Sequence, residues 1–149
     1  MENFLRMEFK ESCMLPGSSG KFRIIRYSKQ AHHDVIPLIY ADSFKEKPWG
    51  ADWDNIDEFD PEGIFLAEAA ASNELAGFVV SFKRKYFGYI SVVAVSSGWQ
   101  RRGAAEALIR AAVEYLHFLG LETVRIDVEE KNAPAIDLYK KIGFYPAGT

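Results

Sequence analysis

The sequence predicts a domain of the α/β or α+β class, in which helices flank a mixed sheet. Two observations support this prediction. Short runs rich in β-branched and aromatic residues recur along the chain, and between them lie segments whose apolar residues return every three or four positions. The 149 residues are enough for one domain with a single sizeable core.

The first expected elements are a strand and a helix. Residues 22–27, Phe-Arg-Ile-Ile-Arg-Tyr, are predicted to form the strand. The helix is expected from about residue 29 to residue 44, with Ser28 as its cap. Pro37 weakens or kinks it, because proline removes a backbone hydrogen bond. The acidic residues 52–59 are expected to form a second helix or an ordered loop.

Three strands are predicted next. Residues 64–69 and 76–82 form two of them, joined by a hairpin turn at Ser72-Asn73-Glu74. Residues 89–95 form an apolar, β-branched run, which is typical of a strand buried on both faces.

The C-terminal part alternates helix and strand. Apolar residues at helical spacing predict a helix over residues 105–119, which Gly120 ends. A strand is expected at 123–128 and a last helix at 133–142. Asn132 is the expected cap of that helix, and a final extended piece follows it.

Residues 1–20 are predicted to form a flexible or peripheral N-terminal arm. Pro-Gly-Ser-Ser-Gly at 16–20 is typical of a flexible break, so the domain itself is expected at 21–149.

Composition and charge exclude several functional classes. A net charge of −3 and a pI of about 5.6 give no basic field to attract nucleic acid or an anionic membrane. No apolar run approaches the roughly 20 residues that a membrane helix needs. Cys13 is the single cysteine, and no Cys/His spacing indicates zinc, so we expect no metal. These features fit a protein of the reducing cytoplasm.

The segment from Gln100 to Ala105, Gln-Arg-Arg-Gly-Ala-Ala, follows a predicted strand and opens the strongest predicted helix. Free N–H groups at a helix start, together with the helix dipole, form an anion site. Gly103 lets the backbone approach the anion, and Arg101 and Arg102 add charge-assisted contacts. The alternative is an ordinary helix start with two solvated arginines. A dinucleotide-binding fold is disfavoured, because this segment contains one glycine and lacks the pattern Gly-x-Gly-x-x-Gly.

Two motifs resemble the signatures of the GNAT acetyltransferase superfamily. Gln100, Gly103 and Ala105 match Gln/Arg-x-x-Gly-x-Gly/Ala, with alanine in place of the second glycine. The second motif is a C-terminal Asn-x-x-Ala-x-x-Leu-Tyr run with Gly-Phe, matched at Asn132, Ala135, Leu138, Tyr139, Gly143 and Phe144. The resemblance covers roughly residues 22–147.

The resemblance implies an acetyl-CoA-dependent N-acetyltransferase with a mainly antiparallel central sheet flanked by helices. Tyr139 is the expected general acid, because a phenol can protonate the departing thiolate of coenzyme A. The residues expected to bind acetyl-CoA are Val93, Ala94, Val95, Gln100, Arg101, Arg102, Gly103, Ala104, Ala105 and Asn132. The backbone N–H of Val93 or Val95 is the candidate that polarises the thioester carbonyl.

The general base stays open at this point. Many relatives carry a glutamate where this chain has Tyr89. Three alternatives are open: the amine loses its proton through water, to Glu68 or to Asp127. A non-catalytic acyl-CoA-binding or regulatory domain and one half of a tandem protein are the competing functions.

The resemblance also implies a further strand or two after residue 149. The final strands are therefore expected to be truncated or to be supplied by a partner, and a homodimer would complete the sheet in this way.

The acceptor is expected beside an acidic and aromatic stretch over residues 46–62. Its acids are Glu46, Asp52, Asp54, Asp57, Glu58, Asp60 and Glu62, against the single base Lys47, and Trp49, Trp53 and Phe59 interleave with them. This pattern favours a cationic primary amine of a small molecule or peptide, through Coulomb attraction and cation–π contact. A solvated acidic helix is the alternative.

Overall fold

The computed structural model describes residues 4–9, 21–44 and 60–147. The strands are β1 Phe4–Phe9, β2 Phe22–Arg26, β3 Ile64–Ala69, β4 Leu75–Lys83, β5 Gly88–Val95, β6 Val124–Glu129 and β7 Tyr145–Pro146. The helices are α1 Lys29–His32, α2 Val35–Ser43, α3 Ala104–Phe118 and α4 Ala133–Ile142. Within these residues the strands form one sheet in the order β2-β3-β4-β5-β6-β1-β7, in which only β5 and β6 pair in parallel. The predicted mixed sheet flanked by helices is confirmed.

The sheet is covered on both faces. On one face α3 buries Leu108, Ile109 and Leu116, which are fully shielded from solvent. On the other face α2 packs Ile36 and Ile39 against a separate apolar cluster of β3 and β4. Each such side chain contributes roughly 1.5–3 kcal/mol by leaving water. The central strands β4 and β5 are thereby held between two layers of helix.

The helix predicted over residues 29–44 is broken in two. Helix α1 ends at His32 and α2 begins at Val35. Pro37 explains the break, because its ring clashes with the carbonyl four residues earlier, that of His33. Pro37 instead lies in the first turn of α2. A backbone N–H has no intrahelical acceptor there, so proline costs no hydrogen bond at this position.

The N-terminal arm prediction is wrong for residues 4–9. These residues form β1, an inner strand between β6 and β7, with Met7 opposite Ile126. Met7 and Phe9 are buried in the main core. The buried Glu8 accepts a hydrogen bond from Arg125 Nε at 2.5 Å. The reason is the alternation of apolar and charged residues in β1, which directs one face to the core.

The final strands were expected to be truncated or supplied by a partner, but in the described residues the sheet continues past β6 with strands of this chain. In the structure β1 lies antiparallel to β6 over Phe4–Phe9, and β7 pairs with the far side of β1. The position beside β6 is therefore filled by this chain.

Strands β5 and β6 separate partway along their length. Their parallel pairing extends only from Gly88 to Ile90 on β5. The register between β4 and β5 shifts at the same point, because Val80 faces Val92 and Ser81 faces Ile90, which leaves Ser91 as an extra residue. Such a bulge bends its strand. An opening therefore forms between the C-terminal halves of β5 and β6.

Candidate active site

Two neighbouring cavities border this opening. The larger has a volume of about 440 Å³ and is lined by Val95 and Leu138 among others. The smaller, of about 240 Å³, is lined by Val93 and Tyr139. Val93 and Val95 lie two residues apart on β5, and Leu138 and Tyr139 are consecutive on α4, so the cavities lie side by side.

The larger cavity is built around the start of α3. Arg101 and Gly103 have positive φ angles of 64° and 97°, so the chain turns sharply before Ala104 begins the helix. Gly103 is the N-cap and makes no side-chain cap hydrogen bond, which leaves the first amides of α3 without a cap. Gln100, Arg101, Gly103 and Ala105 all line the cavity. This arrangement is suited to an anion such as a diphosphate.

Hydrogen bonds to the backbone of β5 and to a side chain of α2 hold the turn in place. The Gln100 side chain donates to the Val95 carbonyl at 3.0 Å. The Ser97 N–H donates to a carboxylate oxygen of Asp42, at the C-terminal end of α2, at 2.7 Å. The sequence analysis did not identify Asp42, because nothing in its local pattern distinguishes it from a solvated acid.

The backbone of β5 presents alternate residues to the opening. Ser96 N–H donates to the Ala76 carbonyl, so by alternation the backbone groups of Val93 and Val95 point away from β4. The Val95 N–H already donates to Ser43 Oγ at 3.2 Å. Val93 is therefore the better placed of the two predicted strand residues to pair with a ligand.

The predicted cofactor-binding residues fall into three groups. Val95, Gln100, Arg101, Gly103 and Ala105 line the larger cavity, Val93 and Asn132 line the smaller, and Ala94, Arg102 and Ala104 line neither. The side chains of Ala94 and Ala104 are buried in the core. The Arg102 guanidinium lies over the Trp99 ring, 5.3 Å from its centroid, and thus braces the turn from outside.

A charged cluster of α3 and α4 also borders the larger cavity. Glu106 accepts from Arg110 Nε at 3.4 Å and from Lys141 Nζ at 3.1 Å. Burial favours a higher pKa for Glu106, but the hydrogen bond from Lys141 and the two positive charges outweigh it and lower the pKa. The Glu106 carboxylate is thus charged at neutral pH. The sequence analysis identified neither Glu106 nor Lys141 as site residues.

The smaller cavity has aromatic and acidic walls. Its aromatic side chains are Phe4, Tyr40, Phe44 and Tyr139, and its carboxylates are Asp127 and Glu129. The contribution of Phe4 comes from β1, which the sequence analysis placed outside the domain.

Tyr139 is partly buried and packs against the main core. Burial raises the pKa of its phenol to about 12, so it is protonated at neutral pH. Its ring packs against Phe144 at a centroid distance of 6.1 Å. Asn132, one turn before Ala135, accepts from the Ala135 N–H at 3.2 Å and so caps α4, as predicted.

Of the two carboxylates considered as bases, one lies at the cavity. Asp127 lines the smaller cavity together with Tyr139 and accepts a hydrogen bond from the Tyr89 hydroxyl at 2.9 Å. Burial and the bond to Asp127 raise the pKa of Tyr89 to about 12, which keeps it a donor. Glu68 lines neither cavity and is paired with Arg23 at 2.7 Å.

The acidic and aromatic stretch falls largely outside the described residues. Of its members only Asp60 and Glu62 are described, and Asp60 accepts from the Tyr115 hydroxyl at 2.6 Å. Within residues 4–9, 21–44 and 60–147 no group of His, Cys, Asp or Glu is arranged to hold a metal ion. Across those same ranges no helix is long and apolar enough to cross a membrane.

Comparison with known proteins gives consistent matches. The Acetyltransferase (GNAT) family pattern matches residues 32–144. A mycothiol acetyltransferase from Mycobacteroides abscessus is 35% identical over 116 residues, which are 76% of this chain and 36% of that relative. The chain thus spans about a third of the length of this curated relative.

Solved structures share the fold. A GCN5-related N-acetyltransferase from Sphaerobacter thermophilus aligns with a TM-score of 0.81 at 20% identity, covering 97% of this chain and 48% of that one. The NatC complex bound to Gag peptide and CoA contains a chain that aligns with a TM-score of 0.72 at 19% identity, covering 86% and 87%. Because the family pattern matches residues 32–144, which are more than half of the chain, the chain belongs to the GNAT acetyltransferase family.

Proposed function

We propose that this chain transfers an acetyl group from acetyl-CoA directly to a primary amine. The observation that carries the proposal is the opening between β5 and β6. It joins an anion-binding turn at the start of α3 to a cavity that contains the buried phenol of Tyr139.

The donor occupies the larger cavity and the opening. The diphosphate of acetyl-CoA binds the amides around Arg101 to Ala105, where the helix dipole and Arg101 favour negative charge. The pantetheine arm extends along β5 and donates to the Val93 carbonyl, which points away from β4. The use of CoA by the structurally similar NatC complex supports this assignment.

The reaction forms a C–N bond and breaks a C–S bond. The neutral amine attacks the thioester carbonyl, and the Val93 N–H stabilises the negative charge that develops on oxygen. The tetrahedral intermediate then expels the thiolate, which takes the proton of the Tyr139 hydroxyl. Burial raises the pKa of this phenol to about 12, so the hydroxyl still carries its proton at neutral pH. After the products leave, the phenolate regains a proton from solvent and Asp127 releases to solvent the proton that it took from the amine.

The proton lost by the amine goes to Asp127, directly or through water. Both carboxylates lie in ion pairs, Asp127 with Arg6 at 3.9 Å and Glu68 with Arg23 at 2.7 Å, but only Asp127 borders the cavity of Tyr139. The Tyr89 hydroxyl orients one oxygen of Asp127. Asp127 of β6 thus supplies the carboxylate, because β5 carries Tyr89 at the position where many relatives have a glutamate.

The acceptor site is the smaller cavity. Its aromatic walls and the carboxylates of Asp127 and Glu129 favour a protonated amine that gives up one proton before attack. The similar protein from Mycobacteroides abscessus is named a mycothiol acetyltransferase, so the acceptor of a mycothiol acetyltransferase is one candidate acceptor for this chain.

A thiol-release assay tests the proposal. Acetyl-CoA is incubated with a panel of cationic, neutral and anionic amines, and CoA binding is measured separately by calorimetry. We expect release with cationic primary amines. Binding of acetyl-CoA without release for any amine would favour the competing function, a non-catalytic acyl-CoA-binding domain, and a preference for anionic acceptors would contradict the assigned acceptor class.

A further inference from the structure

The ion pair between Glu106 and Lys141 stands where a cofactor phosphate is expected. We propose that Lys141 exchanges Glu106 for a phosphate of the bound cofactor, so that this ion pair sets the affinity for coenzyme A. The inference rests on the proposed function, which places the diphosphate at the start of α3.

The position of Glu106 motivates the exchange. Glu106 lies in the first turn of α3, the turn whose amides form the anion site. Its negative charge therefore lies close to the expected phosphates and repels them unless it is neutralised. In the structure both carboxylate oxygens are engaged, one by Lys141 and the other by Arg110.

The two cations differ in their freedom to move. The Lys141 side chain is 71% exposed, whereas that of Arg110 is 15% exposed. An exposed lysine on a flexible stem forms a weak ion pair that another anion replaces readily. Arg110 is fixed on α3 one turn after Glu106, so it continues to neutralise Glu106 when Lys141 leaves.

Lys141 also lies on the correct side of the cavity. It comes from α4, and together with Glu106 of α3 it lines the larger cavity. The ion pair thus bridges the two helices between which the cofactor binds. A phosphate at the start of α3 comes within reach of the same ammonium group that now contacts Glu106.

The exchange predicts effects of opposite sign for the two partners. Lys141→Ala removes a phosphate contact and is expected to weaken CoA binding about three- to tenfold. Glu106→Gln removes a competing and repelling charge and is expected to strengthen it about two- to fivefold. If the ion pair were only a structural bridge that blocks the cavity, Lys141→Ala would instead bind CoA more tightly.

The double variant separates the two roles further. With Glu106→Gln already in place, Lys141→Ala should still weaken CoA binding, because the phosphate contact is lost although the ion pair no longer exists. Lys140→Ala and Glu114→Gln are the matched controls. They make the same charge changes on α4 and α3 at exposed positions that line neither cavity.

Calorimetric titration of each full-length variant with CoA and with dephospho-CoA is the experiment. An effect of Lys141→Ala on CoA alone assigns its partner as the 3′-phosphate, and an equal effect on both ligands assigns it as the diphosphate. Tighter binding by Lys141→Ala, or a change no larger than that of Lys140→Ala, would overturn the exchange. Wild-type protein that binds neither ligand would instead contradict the proposed function.

Discussion

The hydroxyl of Tyr89 on β5 donates a hydrogen bond to Asp127 on β6, with 2.9 Å between the two oxygens. The bond lies at the point where the parallel pairing of the two strands ends. It connects the tyrosine found where many relatives carry a glutamate with a carboxylate on the neighbouring strand. A proton acceptor is thus available at the cavity without a glutamate on β5.

The first prediction concerns Asp127. Asp127→Asn keeps an oxygen that can accept from Tyr89 but cannot take a proton from the amine. We expect kcat/KM for the amine to fall about 100-fold at neutral pH. The loss should shrink as pH rises toward the pKa of the amine, because the neutral amine is then supplied by solution.

The pH profile of kcat/KM measures this effect, and Glu68→Gln is its control. Glu68 lines neither cavity, so its substitution should leave the profile unchanged. An Asp127→Asn enzyme with the wild-type profile would exclude Asp127 as the base.

The second prediction concerns Tyr139. Tyr139→Phe removes the proton donor and should lower kcat about 100-fold. The affinity for CoA should change little, since the ring and its packing remain. Single-turnover kinetics with separate CoA titration distinguishes the two effects; wild-type turnover in a chemistry-limited assay would rule out the acid role.

The proposed acid role of Tyr139 also predicts the pH at which alkaline conditions abolish turnover. The acid must be protonated, so activity is retained below its pKa and is lost above it. Because burial raises that pKa to about 12, we expect no fall in kcat from this group near pH 10, the ordinary value for tyrosine. A descending limb near pH 10 that disappears in Tyr139→Phe would contradict the raised value.

The third prediction concerns Gly103, which has a φ of 97°. Gly103→Ala places a side chain in left-handed backbone and should lower the free energy of unfolding by about 1 kcal/mol. It should also weaken CoA binding, because the turn geometry presents the amides to the anion.

Gly120→Ala is a closely matched control for Gly103. Gly120 has a φ of 90° and, like Gly103, has no atom within 4 Å of an added Cβ. It lies at the opposite end of α3, so the two variants should lose similar stability by urea unfolding while only Gly103→Ala loses CoA affinity. Equal CoA affinity in both would argue against the phosphate turn.

The fourth prediction concerns β1. Met7 is fully buried, so Met7→Ala should lower the free energy of unfolding by about 2–5 kcal/mol. Phe4→Ala, at a position that is 57% exposed but lines the smaller cavity, should change stability little and alter KM for the amine. Urea unfolding and steady-state kinetics measure the two effects. A change below about 0.5 kcal/mol for Met7→Ala would indicate a peripheral arm after all.

Much of the fold could be predicted from local patterns. The apolar spacing of α3 and the alternation in β6 are strong, and the cap at Asn132 is a local hydrogen bond. β1 was missed although Leu5, Met7 and Phe9 alternate with charged residues. The glycine- and serine-rich break after it concealed a pairing with strands from the far end of the domain.

Site residues could be predicted only where the site is formed by residues that are adjacent in the sequence. The turn at Gln100 to Ala105 is local, and it was identified. The pairing of Tyr89 with Asp127, and of Glu106 with Lys141, depends on how β5 meets β6 and how α3 meets α4. Side chains brought together by tertiary packing leave no signal in the spacing of either partner.

The place of β1 in the sheet also determines the order in which the domain can fold during synthesis. Residues 4–9 are synthesised before the other described strands and their partners in β6 and β7 after them, with Phe4 pairing Glu129 and Met7 pairing Pro146. Contacts of such high sequence separation slow folding. Until they form, β1 exposes Met7 and Phe9, and the cavity that Phe4 shares with Asp127 does not exist. The proposed acceptor site is therefore among the last parts of the described domain to form on a nascent chain.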